Sequence, residues 1–148
     1  MENYDCTNDV TSHVRIVKRY LDKTVLWLVD RSVVHDASKL QEPEKTVFDE
    51  FTPKLKELTF GSAEYKAALA GMGEGLKHHY ENNRHHPEHF ESGVNGMTLV
   101  DLIEMVCDWR GAAFLKGETV NLDYLADRFG LSEQMKSVIA NTLEEFDK

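Results

Sequence analysis

The residues able to do chemistry in this chain are unevenly placed. Five of its seven histidines fall between His78 and His89. A further two, His13 and His35, precede them, and His35 is followed directly by Asp36. Imidazole nitrogen and carboxylate oxygen are both good ligands for Zn, Mn, Fe or Ni. Adjacent His35 and Asp36 can therefore reach one divalent ion, provided that an upstream His and a downstream Asp join them. His13 and Asp108 are available. His13 and His35 are 22 residues apart, or roughly 33 Å along a straight helix. Two nitrogens on one metal are only roughly 4 Å apart. A shared ion thus requires the chain to fold back, and the polar stretch Asp22-Lys23-Thr24 is the expected turn. Without that turn, His13 is an exposed polar position on an amphipathic helix.

The histidine-rich stretch Lys77-His78-His79-Tyr80-Glu81-Asn82-Asn83-Arg84-His85-His86-Pro87-Glu88-His89 has its own logic. On one continuous helix, His79, Asn82, Asn83 and His86 would share a face. Pro87 would clash with the carbonyl of Asn83, so the helix should end near Arg84. Histidines crowded at such a break suit binding of an oxyanion, or proton transfer to a leaving alkoxide. Arg84 can clamp a phosphate with its planar fork. The alternative makes His85, His86 and His89 structural, bonded to nearby carboxylates and carbonyls. Lys39 can meet a phosphate or pair with Glu42. Glu44 can orient a metal-bound His or complement the start of its helix. Gly71, Gly73 and Gly75 follow no strand, so they mark a loosened helix rather than a nucleotide loop.

The elements that must position these groups read as helices. Apolar residues recur at Val10, Val14, Val17, Leu21 and Leu28 with helical spacing. The expected class is all-α, with helices near 9–22, 24–38, 43–58, 62–84, 98–116, 121–129 and 132–146. Each of the three prolines is expected where a helix begins or ends. Thr98 with Asp101 reads as a capping box, and Ser62, Asn121 and Ser132 as N-caps. Gly130 reads as a stop. In the helix near 98–116, apolar residues cover almost the whole circumference, which predicts burial. Asp101, Glu104 and Asp108 nevertheless form one stripe. Buried carboxylates need a cation or several hydrogen bonds, so the stripe should face a metal, an Arg or a protonated His. The alternative is a wet face. Trp27 and Trp109 are expected in the core.

Composition bounds the partners. The chain has 148 residues, 41% hydrophobic and 29% charged, with a net charge of −9. Such a balance disfavours long nucleic acid and anionic membrane, but a bound divalent cation would locally reverse the sign for a small phosphorylated ligand. The acidic start is not expected to act as a signal peptide, and no apolar run is long enough for a bilayer. Two cysteines, Cys6 and Cys107, fit a reducing compartment, so a cytoplasmic location is expected.

His13, His35-Asp36 with Lys39, His79 and Asp108 together resemble the signature of the HD-domain metal-dependent phosphohydrolase superfamily. The stretch His35-Asp36-Ala37-Ser38-Lys39 is similar to that of its cyclic-dinucleotide phosphodiesterase and inositol-oxygenase branches. The chain more closely resembles an uncharacterised HD-like family common in bacteriophage and bacterial genomes. That match lies in His35-Asp36-x-Ser38-Lys39, Gly61-Ser62-x-Glu64-Tyr65-Lys66, Asn83-Arg84-His85-His86-Pro87-Glu88-His89 and Glu104-Met105-x-x-Asp108-Trp109. It runs from about residue 10 to 115.

The resemblance implies a single HD-like domain over 1–148, an all-α bundle of six or seven helices, with the helices of 121–146 covering it. It implies one divalent transition metal (Mn, Fe, Co, Ni or Zn) on His13, His35, Asp36 and Asp108. His79 would bind a second metal, take a proton or hold a phosphate. The two-metal branches add histidines from two further helices, and here Ser62 and Glu64 stand near where one such His could sit. A single tight metal is therefore expected. The implied activity is hydrolysis of a small phosphate ester, a nucleotide by expectation. Asp36 would orient the attacking water, and Lys39, Arg84, His85 and His86 would hold the phosphate and protonate the leaving oxygen. The alternatives are a non-catalytic nucleotide- or protein-binding protein and a di-iron oxygenase. A phage-encoded protein would act in the host cytoplasm.

Overall fold

The computed structural model describes residues 4–146 and 148. Among the described residues the chain is all-helical, with seven α-helices and no strand. It divides into two units, one ending at Val34 and one beginning at His35.

The first unit is built on one long helix, α1 (Thr7–Val34). The turn expected at Asp22-Lys23-Thr24 is not there. Its polar residues serve a continuous helix instead: Lys18 reaches Asp22 one turn on, at 2.6 Å, and the Thr24 hydroxyl donates back to the Tyr20 carbonyl at 3.0 Å. Neither Gly nor Pro interrupts the stretch, so nothing prevents propagation. None of the residues of α1 is buried. Trp27, expected in the core, is 48% exposed, with the Lys23 ammonium over its ring.

The second unit carries α2 (Glu44–Glu57), α3 (Ala63–Gly71), α4 (Gly73–Asn82), α5 (Leu99–Lys116), α6 (Leu122–Phe129) and α7 (Glu133–Phe146). The caps follow the local chemistry. Ser62 accepts from the Tyr65 amide, Thr98 and Asp101 close a reciprocal capping box, Asn121 accepts from Tyr124, and Ser132 accepts from Met135. Gly130 ends α6 in the left-handed conformation, where a Cβ would be strained. Pro43 precedes α2 and Pro87 opens a short 3-10 turn. Pro53 departs from expectation by lying inside α2.

The glycine-rich stretch splits the expected long helix into α3 and α4, with Met72 between them and Gly73, at φ +50°, opening α4. Met105, Val106 and Ile139 form a buried core, and Leu102, Trp109, Leu122, Leu131, Met135 and Leu143 pack around it. Trp109 also stacks on Phe129. Helix α5 is not buried all round, since Leu99, Phe114 and Leu115 are exposed.

Helix α4 approaches α2 closely enough to set the reach of the side chains it carries. A Cβ at Gly75 would lie 2.7 Å from Val47 Cβ, a carbon fixed to the α2 backbone. Gly75→Ala gains roughly 1 kcal/mol of helix propensity, but overpacking costs typically about 1–3 kcal/mol. The variant should therefore be no more stable than the parent, and measurably less so if α4 must shift. Urea unfolding followed by circular dichroism tests this. A variant that gains the full propensity term would show that the contact yields freely.

Candidate metal centre

The site is assembled from residues of the second unit, beginning with its first. His35 follows the last residue of α1. Asp36 takes a left-handed conformation at φ 57° and precedes the 3-10 turn Ala37–Leu40. That conformation is uncommon outside glycine, and Asp tolerates it better than most. From α4 comes His79. The chain leaves that helix at Asn83, which is extended at φ −124°, and returns to present His85 and His86. Asp108 and Glu104 come from α5.

Five of these side chains meet at Asp36 or beside it. Asp36 Oδ1 is 3.5 Å from His79 Nε2 and 3.5 Å from His85 Nε2, while Oδ2 is 3.7 Å from His35 Nε2. His35 Nε2 is 3.6 Å from Asp108 Oδ1. The Nε2 atoms of His79 and His86 are 2.9 Å apart. Two sets of ligand atoms result, each with its members within 4.8 Å of one another: Asp36, His79, His85 and His86, and His35, His85 and Asp108. Asp36 Oδ1 and His85 Nε2 are buried with no hydrogen-bond partner. A buried carboxylate oxygen facing a buried imidazole nitrogen, neither satisfied, is a pair whose lone pairs a divalent cation could satisfy. The donor set of imidazole and carboxylate fits a divalent transition metal.

Carboxylates behind the rings fix which nitrogen points inward. Glu44 is fully buried and lies 2.8 Å from His79 Nδ1 and 2.8 Å from His78 Nδ1. It also accepts from the Ser38 hydroxyl at 2.9 Å. Glu104 Oε1 is hydrogen-bonded to His35 Nδ1 at 3.0 Å. It lies 3.2 Å from His85 Nδ1, an ion-pair distance without hydrogen-bond alignment. With Nδ1 turned outward to a carboxylate, Nε2 is left to converge on Asp36. Glu44, at the first turn of α2, thus stands both at the start of its helix and behind the His79 ring. From the residues alone Glu104 reads as part of a stripe, with no partner assigned; its carboxylate faces His35 and His85. The stripe as a whole is not a wet face: Asp101 meets Arg84, Glu104 meets His35 and His85, and Asp108 meets His35.

Charge follows this geometry. Asp108 and Glu104, facing His35, push its pKa up to about 10. Burial would raise the Asp36 carboxyl, but the Lys39 ammonium beside it prevails and holds it below its ordinary value. Burial, and then Lys39, lower His79. Burial, and then neighbouring rings and Lys39, drive His86 far down. His79 and His86 are therefore neutral near pH 7, the state in which an imidazole binds metal.

Two expectations need correcting. From His13 to Val34 the unbroken α1 runs roughly 32 Å, so His13 cannot share an ion with His35, which is bonded to Val34. Within the second unit, His85 stands with His35 and Asp108 instead. Arg84 does not present its fork to the site. Its Nε and one terminal nitrogen donate to the two oxygens of buried Asp101, at 3.0 and 2.9 Å. Asp101 also accepts from the Thr98 amide and hydroxyl. Arg84 thereby ties the His85-His86 segment to the start of α5.

A scan of family models matches residues 2–145 to a family described as "Family of unknown function (DUF5662)". No curated protein matches this chain. No solved structure matches it either. The match covers nearly all of the chain, which belongs to that family.

The pairings have two measurable consequences. His35 is raised in the folded, metal-free protein relative to about 6.5 unfolded. Its stabilising contribution is therefore complete below about pH 6.5 and is lost as pH rises through about 10. With solvent screening leaving on the order of 1–2 kcal/mol, the Tm of chelator-treated protein should fall by roughly 3–6 °C between pH 7 and 10. His35→Gln should flatten that slope, and an unchanged slope would refute the pairing. Separately, Arg84→Ala should cost roughly 1.5–3 kcal/mol in urea unfolding, because hydrogen bonds to a buried charge are lost. Arg84→Lys should recover only part of that, since it lacks the fork.

Proposed function

We propose that this member of the family is a metal-dependent hydrolase of small phosphate esters, with a nucleotide as the expected substrate. The observation that carries the reading is the unsatisfied, buried pair Asp36 Oδ1 and His85 Nε2, set among four further ligand-type side chains. The set His35, His85 and Asp108 would hold one divalent ion. The set Asp36, His79, His85 and His86 would hold another, with His85 serving whichever forms. A bound divalent ion would polarise a phosphoryl oxygen and lower the pKa of a water.

The roles of the chain's own residues follow from their surroundings. Asp36, kept ionised by Lys39, accepts a hydrogen bond from the attacking water and orients it. Glu44 and Glu104 hold the rings in position, so no side-chain reorganisation is needed at the moment of reaction. Lys39, the cation beside Asp36, takes the charge that develops on the phosphate. His79 is neutral and bonded to Glu44, which suits a ligand better than a proton donor. The proximity of two ligand sets also suits a di-iron oxygenase, and the same experiment separates the two.

The test combines elemental analysis with a phosphate-release screen over nucleotides, using Mn, Co, Ni, Fe, Zn and Mg. The protein should retain a transition metal whose removal by chelator lowers Tm, by mass action on the native state. Asp36→Ala should lose both metal and turnover. Lys39→Ala should keep the metal and lose roughly a hundred- to thousandfold in rate. About two irons per chain with oxygen uptake would favour the oxygenase. Failure to retain any metal, or full metal and activity in Asp36→Ala, would overturn the reading.

A further inference from the structure

We infer that Lys39 gates the loading of this centre, its ammonium holding one oxygen of Asp36 until a divalent cation displaces it. The inference rests on the proposed metal centre and adds how that site is regulated. The two oxygens of Asp36 are treated differently. Oδ1 is buried without a hydrogen-bond partner, whereas Oδ2 is 2.5 Å from Lys39 Nζ. Oδ2 is also the oxygen turned towards His35 Nε2, and His35 in turn faces Asp108. An ion held by Asp36 through both of its oxygens needs lone pairs of Oδ2 as well as of Oδ1. An ammonium has three donors and no acceptor, so it can occupy that oxygen but cannot join a coordination shell.

The structure also gives Lys39 somewhere to go. Its side chain is 31% exposed, at the end of the 3-10 turn that begins at Ala37. Its Nζ lies 5.0 Å from the centroid of the Phe48 ring, on α2. A flexible four-carbon stem lets the ammonium slide along that face. It keeps a cation–π partner there while leaving Oδ2. The same movement converts Lys39 from an internal counter-ion into a free cation beside the loaded centre, where an anionic substrate would meet it. Metal-free protein thus keeps its carboxylate neutralised, and the positive charge becomes available to substrate only once metal is in place.

The test uses the full chain stripped with chelator. Isothermal titration with Mn²⁺, and then with Zn²⁺, compares the parent with Lys39→Met and Lys39→Arg. Lys39→Met should bind the ion at least about tenfold more tightly, because nothing then competes for Oδ2. Lys39→Arg, which keeps the charge and gains a fork, should not. In the unmodified protein, acetylation measured by peptide mass spectrometry should rise at Lys39 on Mn²⁺ loading and stay level at Lys45, which pairs with Asp49. This second arm needs no variant to fold. Equal or weaker binding by Lys39→Met, or unchanged labelling of Lys39 on loading, would overturn the gate while leaving the metal centre standing. Absence of ion binding by the parent and by both variants would remove the metal reading, and the gate with it.

Discussion

An ionised carboxylate cannot sit in a protein interior without compensation, and Asp36 is where that constraint is most acute. Its left-handed backbone turns it inward beside three imidazoles and one ammonium. Lys39 satisfies one oxygen, and the other faces His79 and His85 with no hydrogen-bond partner. Much of the second unit can be understood as the scaffold that brings these groups together from four different parts of the chain.

The scaffold depends on a second layer of carboxylates. Glu44 holds two neighbouring rings from α4, and Glu104 faces one ring from the His35-Asp36 segment and one from the segment after α4. For His79, His35 and His85, the Nδ1 turned to a carboxylate leaves Nε2 facing inward. Asp101 and Arg84 do the same work one step further out, anchoring the His85-His86 segment to the first turn of α5. The close passage of α4 over Val47 brings His79 within reach of Glu44. A larger residue at Gly75 would separate those partners.

The overall charge of −9 takes on meaning here. Several acidic groups are committed to holding imidazoles or Arg84 rather than coating a surface. An anionic substrate would approach a chain that repels it on average. Lys39 and a bound cation would supply the local positive potential, consistent with a site that becomes receptive only when loaded.

Much of this was legible in the sequence because the physics was local. The caps at Ser62, Thr98, Asn121 and Ser132, and the loosening of the helix at the glycines near Gly73, depend on neighbours within a few residues. The stripe Asp101, Glu104 and Asp108 could be seen from helical spacing alone, as could its need for positive partners. The identity of those partners could not. Arg84 was available to a phosphate until the fold set buried Asp101 against both arms of its fork. His13 was available to His35 until α1 ran through the expected turn, since helix propagation there is decided by the balance of propensity and packing rather than by a breaker. His85 entered both ligand sets because the chain doubles back after Asn83, a long-range placement that no spacing rule encodes. Sequence determined which groups need a partner, because that follows from each side chain's own chemistry. Tertiary structure alone decided which partner each received, because burial and opposed charge act between elements that the linear order leaves far apart.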